Sequence, residues 1–179
     1  GKPYSQLVHL AESVHAFAAV GTALREKGFA APAILNARLD EGLLLIEDLG
    51  TTGVLREDGT PDPQRYEAAA EMLAALHRCD WQETLPIPGG GEHHLHRYDT
   101  DVFCTEIALC PDWYVAHRGV SSEDFDRDDF FAAWRALLEP LEDEPPTLTL
   151  RDYHSPNIIW REGLTGHDRI GLIDHQDAL

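Results

Sequence analysis

Three side chains that carry oxygen atoms lie directly before or after the short apolar segments near the C-terminal end of the chain. Asp152 and, five residues later, Asn157 lie in a polar stretch that leads into the apolar residues 158–160. A second segment, residues 169–173, is apolar after its first residue and is followed at once by Asp174. Short apolar runs bounded by polar residues are typical of strands. The pattern therefore predicts a loop and a strand hairpin that together present these three side chains.

This set of side chains suits phosphoryl transfer from a nucleotide. That reaction needs a carboxylate beside the attacking hydroxyl and hard oxygen ligands that hold Mg²⁺ against the phosphates. Asp152 is the candidate carboxylate, and Asn157 and Asp174 are the candidate ligands. Taken singly, each has a structural explanation, since Asp and Asn are common in turns and Asp is common at helix N-caps. Their order and spacing together favour the catalytic interpretation.

The composition of the chain limits the kinds of molecule that we expect it to bind. The formal net charge is −18, from 32 acidic and 14 basic side chains, and such a surface repels nucleic acid phosphates. The sequence has no apolar run long enough to span a membrane and no signal-peptide pattern at its start. Its three cysteines form no C-x-x-C pair, which fits a reducing compartment. We therefore expect a cytoplasmic protein with a small-molecule substrate, bound to neither nucleic acid nor membrane.

The hydrophobic pattern predicts an α+β fold that begins with a helix and ends with short strands. The predicted helices span Ser5 to Lys27, Asp62 to Arg78, Asp99 to Leu109, and a segment from the Ser121–Asp124 capping box to Leu141. The last of these is expected to bury Phe130, Phe131, Trp134, Leu137 and Leu138. The predicted strands span 33–39, 43–46, 147–150, 157–160 and 169–173, and residues 86–92 are predicted to form a loop. The uniformly apolar strand 43–46 is expected to be buried on both faces.

The two C-terminal motifs carry a family resemblance. They read Arg151-Asp152-Tyr153-His154-Ser155-x-Asn157 and Ile173-Asp174-x-Gln176-Asp177-Ala178. The sequence resembles the aminoglycoside phosphotransferase and choline kinase branch of the protein-kinase-like fold. Within that branch it is most similar to bacterial amino-sugar kinases that act on N-acetylmuramate or N-acetylglucosamine. The resemblance implies an ATP- and Mg²⁺-dependent kinase in which Asp152 is the catalytic base and Asn157 and Asp174 bind magnesium.

The same resemblance implies supporting roles for residues in three other places. Ile46, Glu47 and Leu49 match the strand and hinge that bind adenine, with the Glu47 carbonyl accepting from the exocyclic amine and the Leu49 amide donating to the ring. Ile46 is expected at the back of that pocket. His154 is expected to position the catalytic loop by hydrogen bonding. Asp177 is expected to cap a following helix, with support of the metal site as the alternative.

The implied fold is a partial N-lobe with the hinge, over residues 1–50, followed by a mainly helical C-lobe over residues 51–179. Three departures from the family accompany it. Leu150 stands where many relatives have His, no glycine-rich phosphate loop or strand lysine precedes the first helix, and the sequence ends five residues after Asp174. We therefore expect a fragment that is incomplete at both ends and inactive by itself.

Two other interpretations are open. A non-catalytic, pseudokinase-like module is suggested by Leu150 and the missing phosphate lysine. A metal-dependent phosphohydrolase could use Asp152, His154, Asp174 and His175 as ligands, although the hinge segment then has no role. The histidines of residues 92–96 follow a glycine run without matched cysteine or carboxylate spacing, so we do not expect a functional metal site there.

Overall fold

The computed structural model describes residues 1–121 and 124–179. Within these residues the α-helices are Tyr4–Leu7 (α1), Val14–Glu26 (α2), Pro63–His77 (α3), Thr100–Ile107 (α4) and Arg127–Leu138 (α5). The strands are Ile34–Arg38 (β1), Leu43–Ile46 (β2), Thr84–Pro86 (β3), Glu92–His94 (β4), Ile158–Trp160 (β5) and Ile170–Leu172 (β6). Consecutive strands pair in three antiparallel hairpins. The predicted α+β class is confirmed.

The chain forms two compact units. One comprises Gly1–Leu10 and Arg97–Pro146, and the other comprises Ala11–His96 and Thr147–Leu179. The larger unit holds the main hydrophobic core, which α2 and α3 build together with the β5–β6 hairpin. Its fully buried side chains include Leu24 of α2, Met72 and Leu76 of α3, and Ile170 of β6. The predicted division near residue 50 stays a prediction.

Local sequence explains several element ends in the larger unit. Asp62 caps α3 by accepting hydrogen bonds from the backbone N–H groups of Gln64 and Arg65, and Pro63 occupies the first helical position. Gly42 adopts a left-handed conformation with φ of 70° and closes the turn between β1 and β2. These features agree with the predicted helix at Asp62 to Arg78 and with the predicted turn before residue 43.

The predicted continuous helix from Ser5 to Lys27 is wrong. The chain forms the short α1 and then α2, and between them His9 takes a left-handed φ of 55°. The Ala11 amide, which a continuous helix would use internally, instead donates to the Asp177 carboxylate at 2.6 Å. A partner far away in sequence has thus replaced the helical hydrogen bond.

The predicted burial of strand β2 on both faces is also wrong. Leu43 and Leu45 are 56% and 61% exposed, and Leu35 of β1 is 64% exposed. Among the described residues β2 pairs with β1 alone. The predicted strand at 147–150 is absent as well, although Thr149 and Leu179 exchange two backbone hydrogen bonds there. The predicted loop at 86–92 is the turn and adjoining ends of the β3–β4 hairpin.

The smaller unit contains α1, α4, α5 and the π-helical segment Cys110–Val115. Asp99 caps α4 as predicted, but α4 ends at Ile107. The cap of α5 is Asp126, whose carboxylate accepts from the Asp129 amide at 3.0 Å. The Ser121 hydroxyl donates to the Asp124 carboxylate at 2.7 Å, and residues 122 and 123 of the predicted helix start lie outside the described residues. Phe130, Phe131, Trp134 and Leu138 of α5 are half-buried, whereas Leu137 is 66% exposed, which corrects the predicted buried face. No helix in the described residues combines the length and apolar character needed to cross a membrane.

Candidate active site

The β5–β6 hairpin brings two of the predicted site residues together. Asn157 directly precedes β5 and Asp174 lies two residues after the end of β6. Antiparallel pairing aligns Ile158 with Leu172, and one step further the Ile173 amide donates to the Asn157 carbonyl at 3.1 Å. Residues 157 and 174 therefore meet at the open end of the hairpin, although sixteen residues separate them in the printed sequence.

The Asn157 side chain connects all three residues of the predicted set. Its Nδ2 donates to the backbone carbonyl of Asp152 at 3.2 Å and makes a longer contact of 3.4 Å with Oδ2 of Asp174. Both contacts use the amide nitrogen, which leaves the amide oxygen as the acceptor of the side chain. The arrangement places the Asn157 amide group and the Asp174 carboxylate side by side, next to the loop that carries Asp152.

That loop is a succession of tight backbone turns. The Asp152 amide donates to the Leu150 carbonyl at 2.8 Å, the His154 amide to the Asp152 carbonyl at 2.9 Å, and the Asn157 amide to the His154 carbonyl at 2.7 Å. Arg151 has a left-handed φ of 62°, a conformation that costs free energy for a residue with a long side chain. Strained backbone of this kind concentrates at functional sites. The side chain of the next residue, Asp152, is exposed.

Asp174 has a second amide partner that sequence reasoning missed. Its backbone is left-handed, with φ of 58°, and its Oδ1 accepts a hydrogen bond of 2.7 Å from Nε2 of Gln176. The two carboxylate oxygens thus each face a side-chain amide nitrogen, from Asn157 and Gln176. The only sequence signal for this role was the position of Gln176 inside the matched motif.

The two supporting residues, His154 and Asp177, have different partners. Nδ1 of His154 lies 2.6 Å from the Ser155 carbonyl, so the ring contacts the loop backbone, and its role in positioning the loop stays a prediction. Oδ1 of Asp177 accepts from the Ala11 amide at 2.6 Å, a contact that neither expectation for this residue included. Asp177 therefore ties the segment before α2 to the segment after Asp174.

His175 is a buried residue of the site whose contacts the sequence did not reveal. Its side chain is 2% exposed, its ring lies 4.4 Å from that of Phe17 in α2, and Nε2 lies 3.4 Å from the Phe17 carbonyl. Burial lowers the pKa of His175 to about 4, so the ring is neutral near pH 7. A Cβ atom added at Gly21 would lie 2.7 Å from Nε2, which shows how closely α2 approaches the ring.

The predicted hinge lies next to strand β6. A Cβ atom built on Gly171 would come within 2.9 Å of Leu49 Cδ1, so the half-buried Leu49 side chain covers this glycine. The preceding Ile46 is 37% exposed at the end of β2. Within residues 1–121 and 124–179, neither the Glu47 carbonyl nor the Leu49 amide has a backbone hydrogen-bond partner. These are the two groups that the resemblance assigns to adenine.

The donor set at the hairpin fits magnesium. Mg²⁺ prefers oxygen ligands, is held by one or two protein carboxylates, and takes further ligands from phosphates and water. The Asp174 carboxylate and the Asn157 amide oxygen meet that description. In the described part of the chain, no group of three His, Cys, Asp or Glu side chains could hold a metal ion. The phosphohydrolase interpretation, which needs such a group, gains no support.

Comparison with known proteins also indicates a phosphotransferase. The sequence model of the phosphotransferase enzyme family matches residues 2–179. A protein of Caulobacter vibrioides named N-acetylmuramate/N-acetylglucosamine kinase is 31% identical over 98% of this chain and 49% of its own length. A Pseudomonas aeruginosa protein of the same name is 31% identical over 94% of the chain and 46% of its own length. One from Neisseria meningitidis is 29% identical over 83% and 42%. The chain spans about half the length of these curated relatives.

Proposed function

The chain belongs to the phosphotransferase enzyme family, and from that premise we propose that the intact protein is an ATP- and Mg²⁺-dependent kinase. Its acceptor is a hydroxyl of a small polar molecule, most specifically an amino sugar. The choice of acceptor class rests on the names of the relatives from Caulobacter and Pseudomonas. The choice of reaction rests on the side chains that the β5–β6 hairpin and the preceding loop bring together.

One observation carries the proposal. The Asn157 side-chain amide contacts both the backbone of Asp152 and the carboxylate of Asp174. The candidate base residue and the two candidate metal ligands are therefore neighbours in space. A turn or a helix cap would account for each residue alone, but neither requires the three to meet. Phosphoryl transfer does require it, because the hydroxyl and the phosphate oxygens react while held in a single arrangement.

Each residue then has a defined task. The exposed Asp152 carboxylate accepts a hydrogen bond from the acceptor hydroxyl, orients its oxygen toward the terminal phosphate, and takes its proton. Asn157 and Asp174 hold the magnesium ion through oxygen atoms, while Gln176 fixes the direction of the Asp174 carboxylate. The ion supplies neutralisation of the charge on the phosphate oxygens. The Glu47 carbonyl and the Leu49 amide bind the adenine edge.

The test is the change Asp152→Asn in the full-length protein, assayed with ATP and a panel of N-acetylmuramate, N-acetylglucosamine, an aminoglycoside and choline. The amide keeps the size of the carboxylate but cannot take a proton, so we expect kcat to fall by about 10²–10⁴. ATP affinity, measured by calorimetry, should change less than about threefold, since no nucleotide contact is assigned to this side chain.

A matched control is Asp168→Asn, which makes the same chemical change at an exposed carboxylate on the β5–β6 hairpin. This variant should retain the activity of the wild type. Retention of most turnover by Asp152→Asn would remove Asp152 from the mechanism. A wild-type protein that binds ATP but phosphorylates none of the four compounds would favour the pseudokinase interpretation.

A further inference from the structure

The side chain of Glu47 accepts one backbone hydrogen bond and forms two ion pairs, with partners from three parts of the larger unit. Its Oε2 accepts from the Ala33 amide at 3.1 Å and lies 3.5 Å from Nη1 of Arg25 in the last turn of α2. Its Oε1 lies 3.6 Å from Nη2 of Arg161, just after β5. No step of the proposed reaction uses this carboxylate, so its contacts call for a separate explanation.

The two arginines are themselves fixed by backbone groups. Nη1 of Arg25 donates to the Ala31 carbonyl at 2.7 Å, and Nη1 of Arg161 donates to the Asp168 carbonyl at 3.1 Å. The side chain of Arg161 is 23% exposed and that of Arg25 is 46% exposed. Guanidinium groups restrained in this way lose less freedom when they pair with a carboxylate than mobile surface side chains do. Arg161, being the more buried of the two, is the stronger anchor.

The backbone of Glu47 is restrained at the same point. Its amide donates to the Ala33 carbonyl at 2.8 Å, while its carboxylate accepts from the Ala33 amide. Residues 33 and 47 are thus joined by two hydrogen bonds, one of which uses a side chain. With the amide and the side chain both held, the Cα atom and the carbonyl carbon of Glu47 are restrained, and the carbonyl oxygen can move only by rotation about ψ.

We propose that Arg161, acting through the Glu47 carboxylate with Arg25, sets the direction of the hinge carbonyl and thereby the preference for adenine nucleotides. The inference rests on the proposed function, because it takes the Glu47 carbonyl as the acceptor for the exocyclic amine of adenine. Guanine carries an oxygen acceptor at the corresponding position, so a fixed carbonyl repels it and a movable carbonyl tolerates it. Arg161 is a positioning residue in this scheme and touches neither nucleotide nor acceptor.

The location of Arg161 gives the contact a second consequence. It lies on the β5–β6 hairpin, four residues after Asn157 in the printed sequence. A single hairpin therefore presents the candidate metal ligands at one end and anchors the hinge from the other. The residues that would hold the adenine and those that would hold the magnesium ion are thus linked through one antiparallel hairpin.

The test is the change Arg161→Met in the full-length protein, which keeps side-chain length and removes the charge. We expect KM for ATP to rise about three- to tenfold, as for the loss of one oriented hydrogen bond, with kcat within about twofold. The ratio of kcat/KM for ATP to that for GTP should fall by a similar factor. Arg161→Lys should recover part of the loss, because it restores the charge without the planar fork.

Two further variants separate positioning from general damage. Arg38→Met breaks an ion pair of 3.2 Å with Glu41 in the β1–β2 turn and should leave both nucleotides unaffected. Glu47→Gln should reproduce the change in the nucleotide ratio, and adding Arg161→Met to it should cause no further change. An Arg161→Met protein with an unaltered nucleotide ratio would overturn the inference, as would an equal effect of Arg38→Met.

Direct calorimetry with ATP and GTP keeps this test independent of the acceptor. If the wild type binds ATP but phosphorylates no amino sugar, the proposed function fails while the effect of Arg161 on nucleotide binding is still measured. If the wild type is an active kinase and Arg161→Met keeps the wild-type preference, only this inference fails. A wild type that binds neither nucleotide overturns both.

Discussion

The close approach of Gly21 to His175 makes Gly21→Ala an informative change. In the interior of an ordinary helix this substitution stabilises a protein by about 1 kcal/mol, because glycine has the greater backbone freedom in the unfolded chain. At position 21 the new methyl group would lie 2.7 Å from Nε2 of His175, against 3.4 Å or more for an ordinary contact. The ring would have to retreat by roughly 0.7 Å.

The ring has little room to retreat. It is 2% exposed and lies 4.4 Å from the ring of Phe17, so movement must displace either α2 or the segment that begins at Asp174. Overpacking of a well-packed interior costs about 1–3 kcal/mol. The helix-propensity gain of about 1 kcal/mol offsets part of this cost. We therefore expect Gly21→Ala to lower the free energy of unfolding by up to about 2 kcal/mol.

The assay is a double-mutant cycle on the intact protein, with urea unfolding followed for the wild type, Gly21→Ala, His175→Ala and the double variant. Removal of the ring removes the clash but not the helix-propensity gain. Gly21→Ala should therefore stabilise the His175→Ala protein by about 1 kcal/mol while failing to stabilise the wild type. Equal stabilisation in both backgrounds would show that the contact between position 21 and His175 does not exist.

Two other predictions concern stability in the larger unit. The Tyr153 hydroxyl donates to the Ala69 carbonyl at 2.7 Å, and Tyr153→Phe should cost about 1 kcal/mol at neutral pH. Burial raises the pKa of Tyr153, so above about pH 10 only the unfolded chain ionises, and the advantage over Phe should shrink as pH rises. A urea-midpoint difference that is constant from about pH 8 to about pH 11 would contradict this. Asp62→Ala removes the cap of α3 and should lower Tm. Asp40→Ala makes an equal charge change at an exposed turn and should leave Tm unchanged. Equal Tm values for the two variants would show that the Asp62 side chain does not stabilise α3 as its cap.

The features that sequence predicted well are those set by neighbouring residues. Helix α3 follows from Asp62, Pro63 and a helical apolar pattern, and the structure places it within one residue of each predicted end. The β5–β6 hairpin follows from two apolar runs, and Asn157 and Asp174 meet at its end as their positions beside the strands required. Their roles as metal ligands, and that of Asp152 as the base, stay predictions.

The features that sequence missed depend on partners far away in the chain. The break after α1 accompanies a bond between Ala11 and Asp177, and no pattern within the first thirty residues contains it. The anchoring of Glu47 needs Arg161, which the motif around the hinge does not include. The exposure of β2 could not be predicted for a related reason. An apolar run indicates that a strand can be buried, but it does not show how many other strands or helices pack against it.

The larger unit is assembled from both ends of the printed sequence, and this has a consequence for biogenesis. Its core packs α2 and α3 against β5 and β6, which leave the ribosome only after the residues of the smaller unit have been synthesised. The part of the core that β5 and β6 complete can form only late, and joining segments so distant in the chain slows folding. During translation we expect a chaperone to bind the apolar faces of α2 and α3 that later pack against β5 and β6.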